Sequence, residues 1–265
     1  MKIFFKKMFW IIILSYIGFG AYLFLAQRSI IYYPNYPTKS DFYDCSAFAD
    51  AQMIDLGGTR AYYKHAGEKI VVVYHGNAGS ACDRVYLKNV FEEAGYSYLF
   101  VEYAGYAGDT KKPSRQLLLK DAENVISFLK TKNYKETTLF TESIGAGVAS
   151  YHASLSAPDK ILFIAPFDSL TNVAKSQFPY SLYPISFMFR FSKENYENPP
   201  LLQDYKGELA IIHGAEDTII PIERGKALFD KVPIPNKKFI AIEGAGHNDI
   251  YNFERTWREI SDFLN

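Results

Sequence analysis

Leu139-Phe140-Thr141-Glu142-Ser143-Ile144-Gly145-Ala146-Gly147 is the stretch on which the reading of this chain turns. The β-branched and apolar run Thr137–Thr141 predicts a strand, and the small residues from Ala146 to Leu155 predict a helix. Only Ser143 stands at the turn between them. So tight a turn forces the serine backbone into a strained conformation and lifts Oγ clear of the sheet. Residues two places either side must then be small, because strand and helix nearly touch. Gly145 meets that demand, whereas Thr141 adds a Cβ. A simple N-cap serine is the alternative, since Ser is favoured at that position.

Outward from this turn, strand and helix signals alternate. Ala51–Leu56 and Thr59–His65 flank Gly57-Gly58 as a hairpin. Ile70–Tyr74 and Tyr98–Tyr103 are continuous apolar runs expected of strands buried on both faces. Ile161–Ile164, Leu209–Ile212 and Phe239–Ile242 are further strands. Helical patterning covers Val85–Glu93, Arg115–Lys130, a segment beginning near Pro221, and Asn252–Leu264. The pattern predicts one α/β domain: a mostly parallel sheet of about eight strands flanked by helices, with the hairpin as an antiparallel edge. Residues 167–205 interrupt the alternation and are expected to form a small cap over one end of the sheet.

The chain has 265 residues, of which 48% are hydrophobic, enough for a full core. Its 29 basic and 29 acidic side chains balance, and there is no long Lys/Arg run, which argues against nucleic acid as a partner. All four charges in residues 1–28 are basic: Lys2, Lys6, Lys7 and Arg28. Between Lys7 and Arg28 lie 20 uncharged residues, about 30 Å of helix, the thickness of a bilayer's hydrocarbon core. Residues 1–28 therefore read as a cytoplasmic tip and transmembrane signal-anchor, 29–46 as a linker and 47–265 as the domain. A cleaved signal peptide is the rival reading, with Gly18-Phe19-Gly20 as a weak cleavage site. The lysines keep the N-terminus in the cytoplasm and send the domain across, to the periplasm if the source is bacterial. In an oxidising compartment Cys45 and Cys82 either pair or remain two buried thiols. No H-x-x-x-H, C-x-x-C or phosphate-loop spacing occurs, so neither metal nor cofactor is expected.

A serine hydroxyl is a weak nucleophile at neutral pH and needs a base, which in turn needs an orienting acid. Asp217 follows the strand Leu209–Ile212, and His247 follows Phe239–Ile242 in a glycine-rich loop. Ser143, Asp217 and His247 all fall just past C-terminal strand ends, where open α/β sheets place their sites. His75-Gly76-Asn77-Ala78-Gly79-Ser80 follows Ile70–Tyr74, and the backbone N–H groups of Asn77 and Ile144 are the candidate oxyanion donors. His75 reads as a support for that loop. Glu142 is expected to point away from Ser143 while raising the local acidic potential.

HGNAGS, EYAGYAGDTKKPS, TESIGAG, APFDSL, IIHGAEDTIIP and EGAGHNDI, in this order, resemble the α/β-hydrolase superfamily. The likeness is greatest to its membrane-anchored branch, which includes protein depalmitoylases. It implies the α/β-hydrolase fold over about residues 25–265 and a triad of Ser143, Asp217 and His247. Departures are Thr141 for a motif glycine, Ala104 before Gly105-Tyr106, and Asp168 where Thr is usual; Asp168 is thus a second candidate acid, with Asp217 preferred. The implied activity is hydrolysis of carboxylic ester or thioester bonds in apolar, lipid-like acyl substrates through an acyl-serine. A peptidase or amidase, or a non-catalytic binding protein, remain the alternatives. Phe167, Phe178, Tyr180, Tyr183, Phe187, Phe189 and Phe191 are the expected apolar pocket wall, unless they simply pack on the sheet. Oligomeric state and acyl-chain length are not readable.

Overall fold

The computed structural model describes residues 2–34, 45–178 and 191–265. Eight strands form one sheet: β1 (Gln52–Asp55), β2 (Arg60–Lys64), β3 (Lys69–Tyr74), β4 (Tyr96–Glu102), β5 (Glu136–Glu142), β6 (Lys160–Ile164), β7 (Glu208–Gly214) and β8 (Lys237–Ile242). Their spatial order is β1-β2-β4-β3-β5-β6-β7-β8. The β1/β2 and β2/β4 pairs are antiparallel and every other pair is parallel. The hairpin is thus the antiparallel edge that the sequence predicts.

The alternation of side chains sorts the core into two layers. Ile70, Val72 and Tyr74 of β3 face one layer with α3 (Arg115–Leu129), α4 (Gly145–Leu155) and α6 (Ile222–Lys231). Val71 and Val73 face the other with α2 (Lys88–Glu93) and α7 (Glu254–Leu264). Burial on both faces explains why these strands read as unbroken apolar runs rather than as alternating ones. Small residues along α4 let it lie hard against the sheet: a Cβ on Gly145 would strike the Tyr74 carbonyl, and one on Gly147 the Tyr196 ring.

Within the expected cap, α5 (Leu170–Gln177) begins at an N-cap in which Ser169 accepts the Asn172 N–H, and Pro199–Leu202 form a 3-10 turn. Tyr180, Tyr183, Phe187 and Phe189 lie outside the described residues, as does the linker from 35 to 44.

α1 (Lys2–Ile31) carries its apolar side chains outward, with Ile3, Phe9, Ile11, Leu14, Ile17 and Leu25 all exposed. Among the described residues it is the one helix long and apolar enough to cross a membrane. The helix runs on to Ile31, three residues past the expected end of the anchor at 28, and its last turn contacts the domain. Arg28 Nε donates to Glu194 Oε1 at 2.7 Å, and Tyr32 OH to Glu194 Oε2 at 2.8 Å. Tyr33 pairs as a β-bridge with Ala78. Local sequence is silent on this attachment, because Glu194 is more than 160 residues from its partners in the chain. Cys45 and Cys82 form a disulfide with Cα atoms 5.8 Å apart, tying the start of the domain to the turn before α2. Of the two readings left open for the cysteines, this is the paired one.

Candidate active site

Ser143 sits at φ 51°, a left-handed conformation that L-residues adopt only when the fold compels it. Its N–H is held by the Ile164 carbonyl at 2.9 Å, and Ala146 N–H closes the first turn onto the Ser143 carbonyl at 3.0 Å. The elbow forms with Thr141 in place of a glycine. Thr141 is buried in β5 in register with Tyr74 and Phe163, whose side chains face the layer that holds α4, so its extra carbon is accommodated within that layer. Gly145 makes the crossing with α4.

His247 Nε2 lies 3.2 Å from Ser143 Oγ, and its Nδ1 lies 2.6 Å from Asp217 Oδ2. Gly246 N–H donates to Asp249 Oδ1 at 2.7 Å, closing the glycine loop that presents the imidazole. The Asp217 carboxylate is fully buried, and its Oδ1 accepts the N–H groups of Ile219 and Ile220 at 2.9 and 2.8 Å. Burial alone would push its pKa up. Hydrogen bonds from His213 and His247 outweigh that and hold it well below the usual carboxylate range. Asp217 is therefore ionised whenever the protein is folded near neutrality.

His213 is a residue the sequence reading passed over. Its Nε2 is 2.8 Å from the Ile220 carbonyl and 3.3 Å from Asp217 Oδ2, so it buttresses the acid from behind. A histidine at the end of a strand four residues before an acid is the signal that was available. Asp168 stands elsewhere: its carboxylate meets Asn172 Nδ2 at 2.7 Å, Lys231 Nζ at 3.3 Å and Arg224 Nη1 at 3.4 Å. The structure thus brings Ser143, Asp217 and His247 together and leaves Asp168 in an ion cluster of its own.

The Asn77 carbonyl accepts from Tyr33 N–H and Tyr106 OH, each at 2.9 Å, and Asn77 Nδ2 donates to the Ile31 carbonyl at 3.2 Å. Among the described residues the N–H groups of Asn77 and Ile144 meet no acceptor. Both residues line the pocket at Ser143. His75 is buried within this loop, with Nδ1 2.8 Å from the Gly76 carbonyl and its ring packed on Tyr103 at 4.2 Å.

Glu142 differs from the expectation. It lines the smaller cavity beside Ser143 and His247, but it does not acidify the site. Arg84 Nε meets Glu142 Oε2 at 2.8 Å, and Tyr251 OH and Tyr86 OH donate to Oε1 at 2.6 and 3.2 Å. Burial opposes its ionisation, yet the Arg84 charge and these hydrogen bonds prevail and hold its pKa below the ordinary value. The charge is neutralised where it stands.

Two cavities meet at Ser143. The larger, about 450 Å³, is mostly apolar, with Phe167, Leu170, Val173 and Phe178 on one side and Ile30 and Ile31 on another. Phe167 and Phe178 were expected there; Phe191 is exposed and does not line this cavity, and the contribution of α1 went unforeseen. The smaller, about 140 Å³, is bounded by His247, Asn248, Arg84, Tyr86 and Tyr251.

No family model matches the chain. An uncharacterized protein of Mycobacterium tuberculosis is 28% identical over 249 residues, 89% of this chain and 86% of its own length. The lysophosphatidylserine lipase ABHD12 of Danio rerio is 24% identical over 226 residues, 74% of this chain and 58% of that protein. Among solved structures, the Pyrococcus furiosus esterase Pf2001 matches with a TM-score of 0.64 at 18% identity, over 88% of this chain and 97% of that one. The chain has the α/β-hydrolase fold. Within that fold it keeps the order Ser, Asp, His along the chain, each residue past the C-terminal end of its strand, at β5, β7 and β8. It spans little more than half the length of the ABHD12 relative. A hydroxyl, an imidazole and an ionised carboxylate in this sequence of contacts are equipped for proton transfer from Ser143 to His247.

Proposed function

We propose that the chain is a membrane-anchored serine hydrolase that cleaves carboxylic ester or thioester bonds of apolar acyl substrates. The observation that carries the reading is the relay Ser143 Oγ–His247–Asp217, at 3.2 and 2.6 Å, on a strained elbow that opens into an apolar cavity. His247 takes the Ser143 proton as Oγ attacks the acyl carbonyl. Asp217 orients the imidazole and stabilises it once charged. The N–H groups of Asn77 and Ile144 receive the negative charge that develops on the carbonyl oxygen. His247 returns the proton to the leaving alcohol or thiol, which frees an acyl-serine. Water, deprotonated by the same imidazole, then releases the acid. The names of the ABHD12 lipase and the Pf2001 esterase support an ester as the bond cleaved.

α1 is the anchor in this reading. A helix whose apolar surface is exposed along most of its length is stable in lipid rather than in water. Three lysines before the apolar stretch and one arginine after it favour an N-terminus in the cytoplasm and a domain outside. The Cys45–Cys82 disulfide supports that side, since such bonds persist in oxidising compartments. A cytosolic depalmitoylase role does not fit this orientation. The test of function is turnover of p-nitrophenyl acyl esters by the full chain in detergent. Ser143→Ala is expected to lower kcat by about 10⁴-fold or more, and undiminished turnover in that variant rejects the assignment.

A further inference from the structure

The apolar cavity beside Ser143 is closed on one side by the last turns of α1. Gln27, Ile30 and Ile31 line it, spaced three and four residues apart on one face of the helix. Leu170 and Val173 of α5 line it as well. This face of α1 is held in place. Arg28 and Tyr32 grip Glu194, which also accepts the Arg115 N–H at 2.7 Å. Gln27 Oε1 accepts from Ser192 Oγ. Asn77 Nδ2 reaches the Ile31 carbonyl at 3.2 Å, and Tyr33 N–H reaches the Asn77 carbonyl at 2.9 Å. These polar groups are thus engaged with one another, and the surface facing the cavity is mostly hydrocarbon. Away from the domain, the same helix continues into the long stretch whose apolar side chains are exposed.

We propose that the end of α1 is the acyl-chain guide of the active site. The occupant of the cavity is the hydrocarbon chain of an amphiphile seated in the bilayer. That chain slides along the Ile30–Ile31 face to Ser143 without crossing water. The inference rests on the serine-hydrolase reading and adds a role for the anchor beyond tethering, with Ile30 and Ile31 as residues that set chain-length preference. Two observations favour a chain over another apolar occupant. Ser143 lines the cavity, so its contents sit next to the scissile carbonyl. Ile30 and Ile31 line it too, at the end of the helix that lies among lipid tails. Each methylene moved into such a cavity is worth about fourfold in kcat/KM while the cavity still has room.

The test uses the full chain in phosphatidylcholine vesicles, with p-nitrophenyl butyrate and p-nitrophenyl dodecanoate as substrates. The readout is the ratio of kcat/KM for the long ester over the short one. Ile30→Trp is expected to lower this ratio by about tenfold or more, through a rise in KM for the long ester that exceeds the fall in kcat. Ile30→Ala is expected to move the preference toward longer chains. Leu25→Trp, on the lipid-facing side of the same helix and 82% exposed, is expected to keep the wild-type ratio. If Ile30→Trp fails to accumulate, the chain-length profile of Ile30→Ala decides. A wild-type profile in the Ile30 variants, with Ser143-dependent turnover intact, overturns the inference and leaves the hydrolase reading standing. So does an equal loss in Leu25→Trp. Wild-type protein without Ser143-dependent turnover overturns both.

Discussion

Replacing Arg84 with methionine strands a carboxylate. Glu142 is buried next to Ser143, and Arg84 is its cationic partner, at 2.8 Å. Methionine keeps much of the arginine stem's volume but supplies no charge. Removing one member of a buried ion pair costs about 3–5 kcal/mol, because the other charge is left without compensation. Tyr251 and Tyr86 still donate to Glu142, which favours the lower end of that range. Arg84 Nη1 also donates to the Ala78 carbonyl at 2.9 Å, and that contact is lost as well. For a domain of this size, about 3 kcal/mol lowers Tm by roughly 10 °C. The assay is thermal unfolding of the full chain in detergent, followed by near-UV circular dichroism between pH 4.5 and 8. In the wild type the folded pKa of Glu142 is depressed, so its contribution is present above the unfolded pKa and lost as pH falls through the folded value. In Arg84→Met burial dominates and the folded pKa rises above the unfolded one, so protonation relieves the penalty as pH falls. The deficit is therefore largest at pH 8 and shrinks toward pH 4.5. Arg84→Met/Glu142→Gln is expected to recover most of it at pH 8. A single variant as stable as wild type at pH 8, or a deficit that does not change with pH, refutes the reasoning.

Other expectations follow from the same contacts. Asp217→Asn leaves His247 without its anionic partner and is expected to lower kcat for ester turnover by about 10⁴-fold with little change in KM, measured in steady state. Cys45→Ser/Cys82→Ser opens a loop with a sequence separation of 37 residues, and unfolded-chain entropy alone predicts a loss of about 4 kcal/mol, read by urea unfolding. Asp121 is buried, and burial raises its pKa to about 6 against the hydrogen bonds from Thr59 Oγ1 and Ala104 N–H. Its raised folded pKa means that stability declines as pH rises from about 4 to 6. Asp121→Asn removes that slope while costing a hydrogen bond, which a pH series of unfolding midpoints will detect.

The sheet was legible because its physics is local. β3, β4, β6 and β7 are buried along nearly all their length, so each contains an apolar run, and the connecting helices carry one apolar stripe. Predicted and observed ends of these elements differ by one or two residues at most sites, as hydrogen-bonded ends extend past the apolar core, for instance from Ile212 to Gly214 in β7. Ser143, Asp217 and His247 were legible because tight turns after strands constrain composition. Contacts between distant residues were not. Arg84 is 58 residues from Glu142, and nothing near either announces the pair, so the sequence suggested a free charge on Glu142 where the structure has a compensated one. The end of α1 misled for another reason. An apolar run reads the same whether it faces lipid tails or a substrate cavity, and it takes distant residues such as Glu194 and Asn77, gripping Arg28, Tyr32 and Ile31, to turn it toward the cavity.

The central claim is that Ser143 Oγ is a nucleophile activated through His247. Reaction of the full chain with a fluorophosphonate, followed by mass spectrometry of the tryptic peptides, tests it most directly. The account predicts one adduct, on the peptide containing Ser143, formed rapidly in wild type and at least 100-fold more slowly in His247→Ala. An adduct on another residue, or equal labelling rates in the two proteins, contradicts it.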